Sequence, residues 1–345
     1  MTIFLVFILL SLLILIHEAG HFFAAKIFGL RVEEFGFGFP PRLFSKKRGE
    51  TLYSFNLLPL GGFVKIYGEN PADREDRSFS IQPAWKRLVV IAAGISLNFL
   101  VGWFLLSAVL MIGAAPALVI SDVQPDSPAA VIGLLGGDKI VKIASLEEAL
   151  ENPVAPEEFT SFVNRFQGMS LTLTIERDKQ LENFEVTPRI NPPEGQGAIG
   201  IGIFSAGIES KPFFASILEG FKASIQTAVG IATAIYWLVV GLFTAPESLE
   251  GVTGPVGIFT MAIRANGMGF VYLLHLIGLI SINLAVLNFI PFPALDGGRI
   301  FFILLEKLKG APLRPRFEQL ANVVGFLILL SLMVFVTLKD IARLL

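Results

Sequence analysis

Apolar runs long enough to cross a bilayer decide what this chain can become. A helix needs about 20 mostly apolar residues to span the hydrocarbon core. Residues 2–27, 85–113 and 268–292 meet that length, and a fourth run covers 320–338. Composition agrees. Of 345 residues, 53% are hydrophobic and 16% are charged, and mean hydropathy is +0.69; an ordinary soluble domain is about 25% charged. A fifth stretch, 213–243, is apolar but carries Glu219, Lys222, Ser224 and Gln226. The first run has no basic segment ahead of its apolar core and continues to Ala25, so it reads as a span and not as a cleaved signal.

Basic residues set orientation. The segment 28–87 holds ten Lys and Arg, among them Lys46, Lys47 and Arg48, and 299–316 holds Arg299, Lys307, Lys309, Arg314 and Arg316. Both segments are expected inside, with 114–212 outside. If 213–243 also crossed, the second basic segment would fall outside. Four spans satisfy the charge rule, and 213–243 is expected to lie as an amphipathic helix, or helix pair, at the outer interface.

Two segments between the spans have a different character. Residues 28–84 include "LYSFNLLPLGGFVKIYGE" (52–69), where β-formers alternate with Pro59, Gly61 and Gly62. This reads as short strands and a hairpin. Apolar residues there can dip into the membrane only where the backbone is buried in protein or lines a wet cavity. In 117–206, charges return and short alternating runs appear ("ALVISDV", "KIVKI", "LTLTIERD"), with a helical "PEEFTSFVNRFQG" between them. The expected fold is therefore a polytopic α-helical membrane protein with a β-hairpin region and an inserted β-rich domain. The formal net charge of −2 and the lack of a basic, aromatic-rich patch argue against nucleic acid. No cysteine is present, which excludes disulfides and thiolate metal sites.

The first span contains "HEAGH": His17, Glu18 and His21. Ionisable groups at bilayer depth are costly and usually functional. H-E-x-x-H puts two imidazoles on one helix face, where both reach one tetrahedral Zn²⁺ with a glutamate beside them. Zinc then needs a third protein ligand. The chain's one other histidine, His275, sits near the opposite, outer end of the 268–292 span. His17 is nine residues before Lys26, about 13 Å from the inner end. His275 therefore reads as a polar residue of the helix bundle. In "NLAVLNFIPFPALDGGRI" (283–300), Pro291 and Pro293 break the helix and the chain turns through Leu295-Asp296-Gly297-Gly298. Asp296 lies on the level of the histidine pair. Spacing alone leaves two roles open for it, zinc ligand or N-cap of the following helix.

These motifs resemble the site-2 protease family of intramembrane zinc metalloproteases, and most nearly the bacterial regulator-of-sigma-E type. The resemblance covers essentially the whole chain: "HEAGH", "FGFGFPP" (35–41), "LPLGGFVKI" (58–66), "GPVGI" (254–258), "SINLAVLNFIPFPALDGGR", and a PDZ-like "SPAAVIGLLGGDKIVKI" (127–143). It implies that His17, His21 and Asp296 bind zinc and that Glu18 is the general base. It implies a membrane-reentrant β-loop within 28–80, with Gly61, Gly62 and Phe63 where substrate adds as a strand, and substrate contacts from Asn288 and Asn98. It implies a single PDZ domain over 117–206, outside the cytoplasm, in a bacterial inner-membrane protein that cuts single-span membrane proteins such as anti-sigma factors or signal-peptide remnants. One departure stands out. Many relatives read G-P-x-x-N in the second span, and here Gly94 to Asn98 is "GISLN", with Ile95 in place of proline. The competing readings are a catalytically silent membrane adaptor, which needs neither H-E-x-x-H nor a matching aspartate, and an ion transporter, for which repeated halves with paired broken helices are expected and not seen.

Overall fold

The computed structural model describes residues 2–69, 76–177, 180–244, 253–311 and 313–342. The chain divides into two compact units. One comprises Met1–Leu106, Ile217–Phe259 and Ile277–Leu345; the other comprises Ser107–Ser216 and Thr260–Leu276.

The first unit is built on long apolar helices. Helix α1 is Thr2–Ile27 and α2 is Ala84–Ile112. Helix α5 is Phe213–Thr244, α7 is Phe270–Phe289 and α9 is Pro315–Ala342. All five are long and apolar enough to cross a membrane. The sequence reading set 213–243 apart because of its charges. In the structure it is one unbroken helix, and Glu219 and Lys222 fall near its start, leaving Ala223–Thr244 without a charged residue.

Small residues let these helices meet closely, as packing in a membrane requires. A Cβ on Gly20 of α1 would lie 2.5 Å from the Ala93 carbonyl oxygen and 2.7 Å from the Gly94 Cα, so α1 and α2 touch backbone to backbone. Two turns further along α2, a Cβ on Gly102 would meet Ile282 of α7 at 2.4 Å. Ser281 Oγ donates to the Asn98 carbonyl at 2.8 Å, which fixes α7 against α2. The "GPVGI" segment opens helix α6, Pro255–Met268. There the Gly257 N–H donates to the buried Asp340 carboxylate of α9 at 2.8 Å.

Beside α1 lies a sheet made of two long bent strands, β1 (Val32–Arg48) and β2 (Thr51–Ile66). The hairpin pairs 42–48 with 51–56. Residues 34–37 are flanked on one side by 52–55 and on the other by 62–65. The sheet thus has four passes, and 62–66 is an edge. It runs along α1: Glu50 at the hairpin turn meets Lys26 at 2.8 Å, Gly62 packs on Leu15, Gly61 on Ile14, and the Pro59 carbonyl accepts from Ser11 Oγ. Ser11 to Lys26 is 15 residues, about 22 Å of helix. The strands expected between the first two spans are therefore longer than the sequence suggested, and they follow the helix through most of its length.

The second unit carries a six-stranded sheet of order β7-β6-β4-β3-β8, with β5 beside β4. The strands are β3 Ala114–Val123, β4 Lys139–Ala144, β5 Ala149–Glu151, β6 Leu171–Arg177, β7 Gln180–Val186 and β8 Ile201–Ile208. Helices α3 (Pro128–Val131) and α4 (Pro156–Arg165) complete it. Alternation explains the core: Leu171, Leu173 and Ile175 of β6 point inward, where they pack with Phe159 and Phe162 of α4. Asp138, almost fully buried, is neutralised by a two-pronged contact from Arg177 at 2.8 and 2.6 Å.

Candidate metal centre

His17 and His21 sit one turn apart on α1, and both are 7% exposed. Their Nε2 atoms are 3.1 Å apart. Asp296 Oδ2 lies 2.9 Å from the first and 3.2 Å from the second. These three form the one His/Asp/Glu cluster of metal-binding geometry among the described residues. Asp296 opens helix α8, Asp296–Lys309. The N-cap position belongs to Leu295 and makes no side-chain capping bond, so Asp296 is turned to the histidines and does not cap its helix. The turn requires its glycines. A Cβ on Gly297 would lie 2.2 Å from the Ile290 carbonyl oxygen, and one on Gly298 would lie 2.3 Å from that of Phe292.

Protonation decides what the cluster can hold. His21 Nδ1 lies 2.9 Å from the Val90 carbonyl, which can only accept, so Nδ1 carries the proton and Nε2 offers a lone pair. His17 Nδ1 faces the carboxamide of Asn98, which is fully buried, at 3.4 Å. Asn98 Oδ1 has no partner among the described residues. With the amide oxygen turned to the ring, it accepts from Nδ1–H. His17 Nε2 then offers a lone pair too. Asp296 Oδ2 is buried and likewise has no hydrogen-bond donor. Three lone pairs converging in a buried space call for a cation. Zn–N and Zn–O bonds near 2.0–2.1 Å in a tetrahedron separate donors by about 3.3 Å, close to the three edges seen. The residues fit zinc.

Glu18 lines a space that it shares with two members of the cluster, His21 and Asp296. Its Oε2 accepts from the Val64 N–H of the β2 edge at 3.1 Å. A cavity of about 110 Å³ joins Glu18, His21, Asp296 and Val64. Of the residues implied for substrate, Gly61, Gly62 and Phe63 lie on the same edge pass as Val64, while Asn98 supports His17. Asn288 is half-buried one residue before the end of α7. His275 stands 13 residues earlier on α7, about 20 Å from Asn288 along the axis, and is not part of the cluster. The sequence names Gly94 only as the start of "GISLN" and gives neither it nor Gly20 a role beside the histidines. A Cβ on Gly94 would reach His21 Nε2 at 2.4 Å and His17 Cε1 at 3.0 Å. The sign is present in the sequence: the single glycine of α1 lies inside the H-E-x-x-H itself, and Gly94 of α2 opens "GISLN".

Outer partners that orient a metal-binding histidine are worth about 10–100-fold in metal affinity. Asn98→Ala is expected to weaken zinc binding by that factor while leaving the helix in place, as measured by competition with a fluorescent chelator. Unchanged affinity would remove Asn98 from the site.

Comparison with known proteins gives the family. The description "Peptidase family M50" matches residues 5–332. The chain belongs to Peptidase family M50. A putative zinc metalloprotease of Clostridium perfringens is 34% identical over 98% of both chains. A putative zinc metalloprotease of Nostoc is 33% identical over 97% of this chain and 94% of its own. The regulator of sigma-W protease RasP of Bacillus subtilis is 26% identical over 99% of each. The M50 match includes all of the cluster, the β2 edge and the β-rich insert.

Proposed function

We propose that the chain is a zinc endopeptidase that hydrolyses peptide bonds within transmembrane segments, with His17, His21 and Asp296 as zinc ligands and Glu18 as general base. The observation that carries it is the meeting of three lone-pair donors within 3.2 Å beside an ionisable Glu18, on a helix of spanning length. A zinc ion held there supplies positive charge that polarises the scissile carbonyl and acidifies a neighbouring water. Glu18 takes the proton from water and returns it to the leaving amine. The Val64 N–H keeps one carboxylate oxygen engaged and leaves the other for this transfer. A substrate helix hides its carbonyls in its own hydrogen bonds, so it must unwind locally. The 62–66 edge beside Glu18 is where an unwound strand would pair by β-augmentation, past Gly61, Gly62 and Phe63. Asn288 holds its backbone in this reading.

The substrates are single-span membrane proteins of the bacterial inner membrane. The name of the Bacillus relative, a regulator of sigma-W protease, points to regulators of transcription such as anti-sigma factors. The basic segments 28–87 and 299–316 face the cytoplasm, and the β-rich insert is an extracytoplasmic PDZ domain that limits the size of what enters. Four spans satisfy the charge rule. A crossing by α5 would need a second crossing before α7, and α6, with 14 residues, is too short to supply it.

The ligand set is tested by metal analysis. Asp296→Ala is expected to lower zinc occupancy of the purified protein several-fold, and His275→Ala to leave it unchanged. The reverse pattern would reassign the third ligand. Full zinc in both variants would sink the proposed centre.

A further inference from the structure

Hydrolysis consumes one water per bond, and the spans around Glu18 present apolar faces to lipid. The structure contains a cavity of about 650 Å³ on the side of the basic 299–316 segment, with Arg87, Arg299, Glu306, Lys307 and Glu318 among its lining residues. It is open where Lys307, Gly310 and Ala311 are exposed. Arg87 and Glu306 pair on its wall at 2.9 Å. Arg87 Nε is buried there without a partner among the described residues, and such a group is ordinarily served by water. This vestibule adjoins the 110 Å³ cavity that holds Glu18, and four residues line both: Glu69, Phe79, Ile91 and Arg299. The wall is fastened by one ion pair, Arg299 Nη2 to Glu69 Oε1 at 2.8 Å. The same guanidinium lies over the Phe79 ring at 5.7 Å. A further cavity, lined by Ala294, Glu318 and Asn322, ends on the same pair.

We propose that Glu69 and Arg299 form the gate through which water, the second substrate, passes from the vestibule to Glu18. The inference rests on the reading of the Glu18 cavity as the hydrolytic site. The side chains of the pair are about one-third exposed, 35% and 32%. That is the regime in which an ion pair is weak and can open without large cost. Opening lifts the guanidinium from Phe79 and removes the polar half of the wall. Phe79 and Ile91, both buried, form the apolar half that keeps the closed state dry. Neither gate residue touches the reacting atoms. Both line the cavity that holds Glu18 and lie outside the three-residue cluster, and the role given to them is the supply of water.

The absence of cysteine makes the test direct. Ile66→Cys places a thiol in the inner cavity, and Ala84→Cys places one in the vestibule. Both are made in the full, zinc-loaded chain in lipid nanodiscs and exposed to silver ion, a small water-borne thiol probe. Unreacted thiol is then counted with a maleimide after denaturation. The vestibule thiol is expected to react fast in every background. The inner thiol is expected to react slowly in the parent chain, at least tenfold faster with Glu69→Gln or Arg299→Gln, and slowly again with Arg299→Lys, which keeps the charge. Zinc content stays constant throughout. Equal rates for the inner thiol in all backgrounds, or an unreactive vestibule thiol, would overturn the gate. A zinc-free parent chain would instead overturn the functional reading, because the accessibility pattern does not depend on turnover.

Discussion

Glu18→Gln is expected to retain full zinc and lose about 10²–10⁴ in kcat, the usual contribution of a positioned general base. The amide has nearly the size of the carboxylate and keeps an oxygen to accept the Val64 N–H, now 3.1 Å from Oε2. His17, His21 and Asp296 are untouched. What disappears is the ability to take a proton from water and hand it to the leaving amine. Single-turnover cleavage of a membrane substrate in detergent, beside metal analysis of the same preparation, separates this outcome from misfolding. Normal turnover with normal zinc would sink the role given to Glu18. Low zinc in the variant would mean that Glu18 helps hold the metal, a different mechanism.

Much of this site is legible in the sequence, for a physical reason. Ionisable residues in a bilayer-length helix are expensive, so His17, Glu18 and His21 stood out against Leu and Ile neighbours. Asp296 was less determined, since an aspartate after a Pro-broken helix serves equally well as an N-cap. Only the fold could bring it to 2.9 Å from His17, across 279 residues of sequence. The β2 edge was legible as strand, but not its course along α1, because pairing of 34–37 with two separate parts of β2 leaves no local pattern. The residues 213–243 illustrate the opposite difficulty. Charges near one end of an apolar helix weigh on a whole-segment reading, while the structure has a single helix with its charges gathered near the start. The Glu69–Arg299 pair, 230 residues apart, carries no sequence signal beyond two charged residues beside two different motifs.

Gly94→Ala is expected to abolish zinc binding although Gly94 ligates nothing. The added Cβ would stand 2.4 Å from His21 Nε2 and 2.5 Å from Cε1 of the same ring, inside van der Waals contact. The backbone has no room to yield, since Gly20 of α1 already meets Ala93 and Gly94 at backbone distance. The ring must therefore turn, which breaks its Nδ1–H bond to the Val90 carbonyl and carries Nε2 away from Asp296. Overpacking of this kind also costs about 1–3 kcal/mol of stability, so loss of zinc alone does not prove the point. Gly102→Ala is the control. It lies on the same helix and its Cβ also meets a neighbour at 2.4 Å, but that neighbour is the Ile282 side chain and not a metal ligand. Both variants should melt lower than the parent chain. Only Gly94→Ala should lose its zinc, with affinity down by more than about 100-fold, beyond the usual effect of losing one orienting partner. If Gly94→Ala keeps zinc and cleaves at the parent rate, the close approach of α2 to the histidines is not part of the site, and His21 is oriented by something other than Val90.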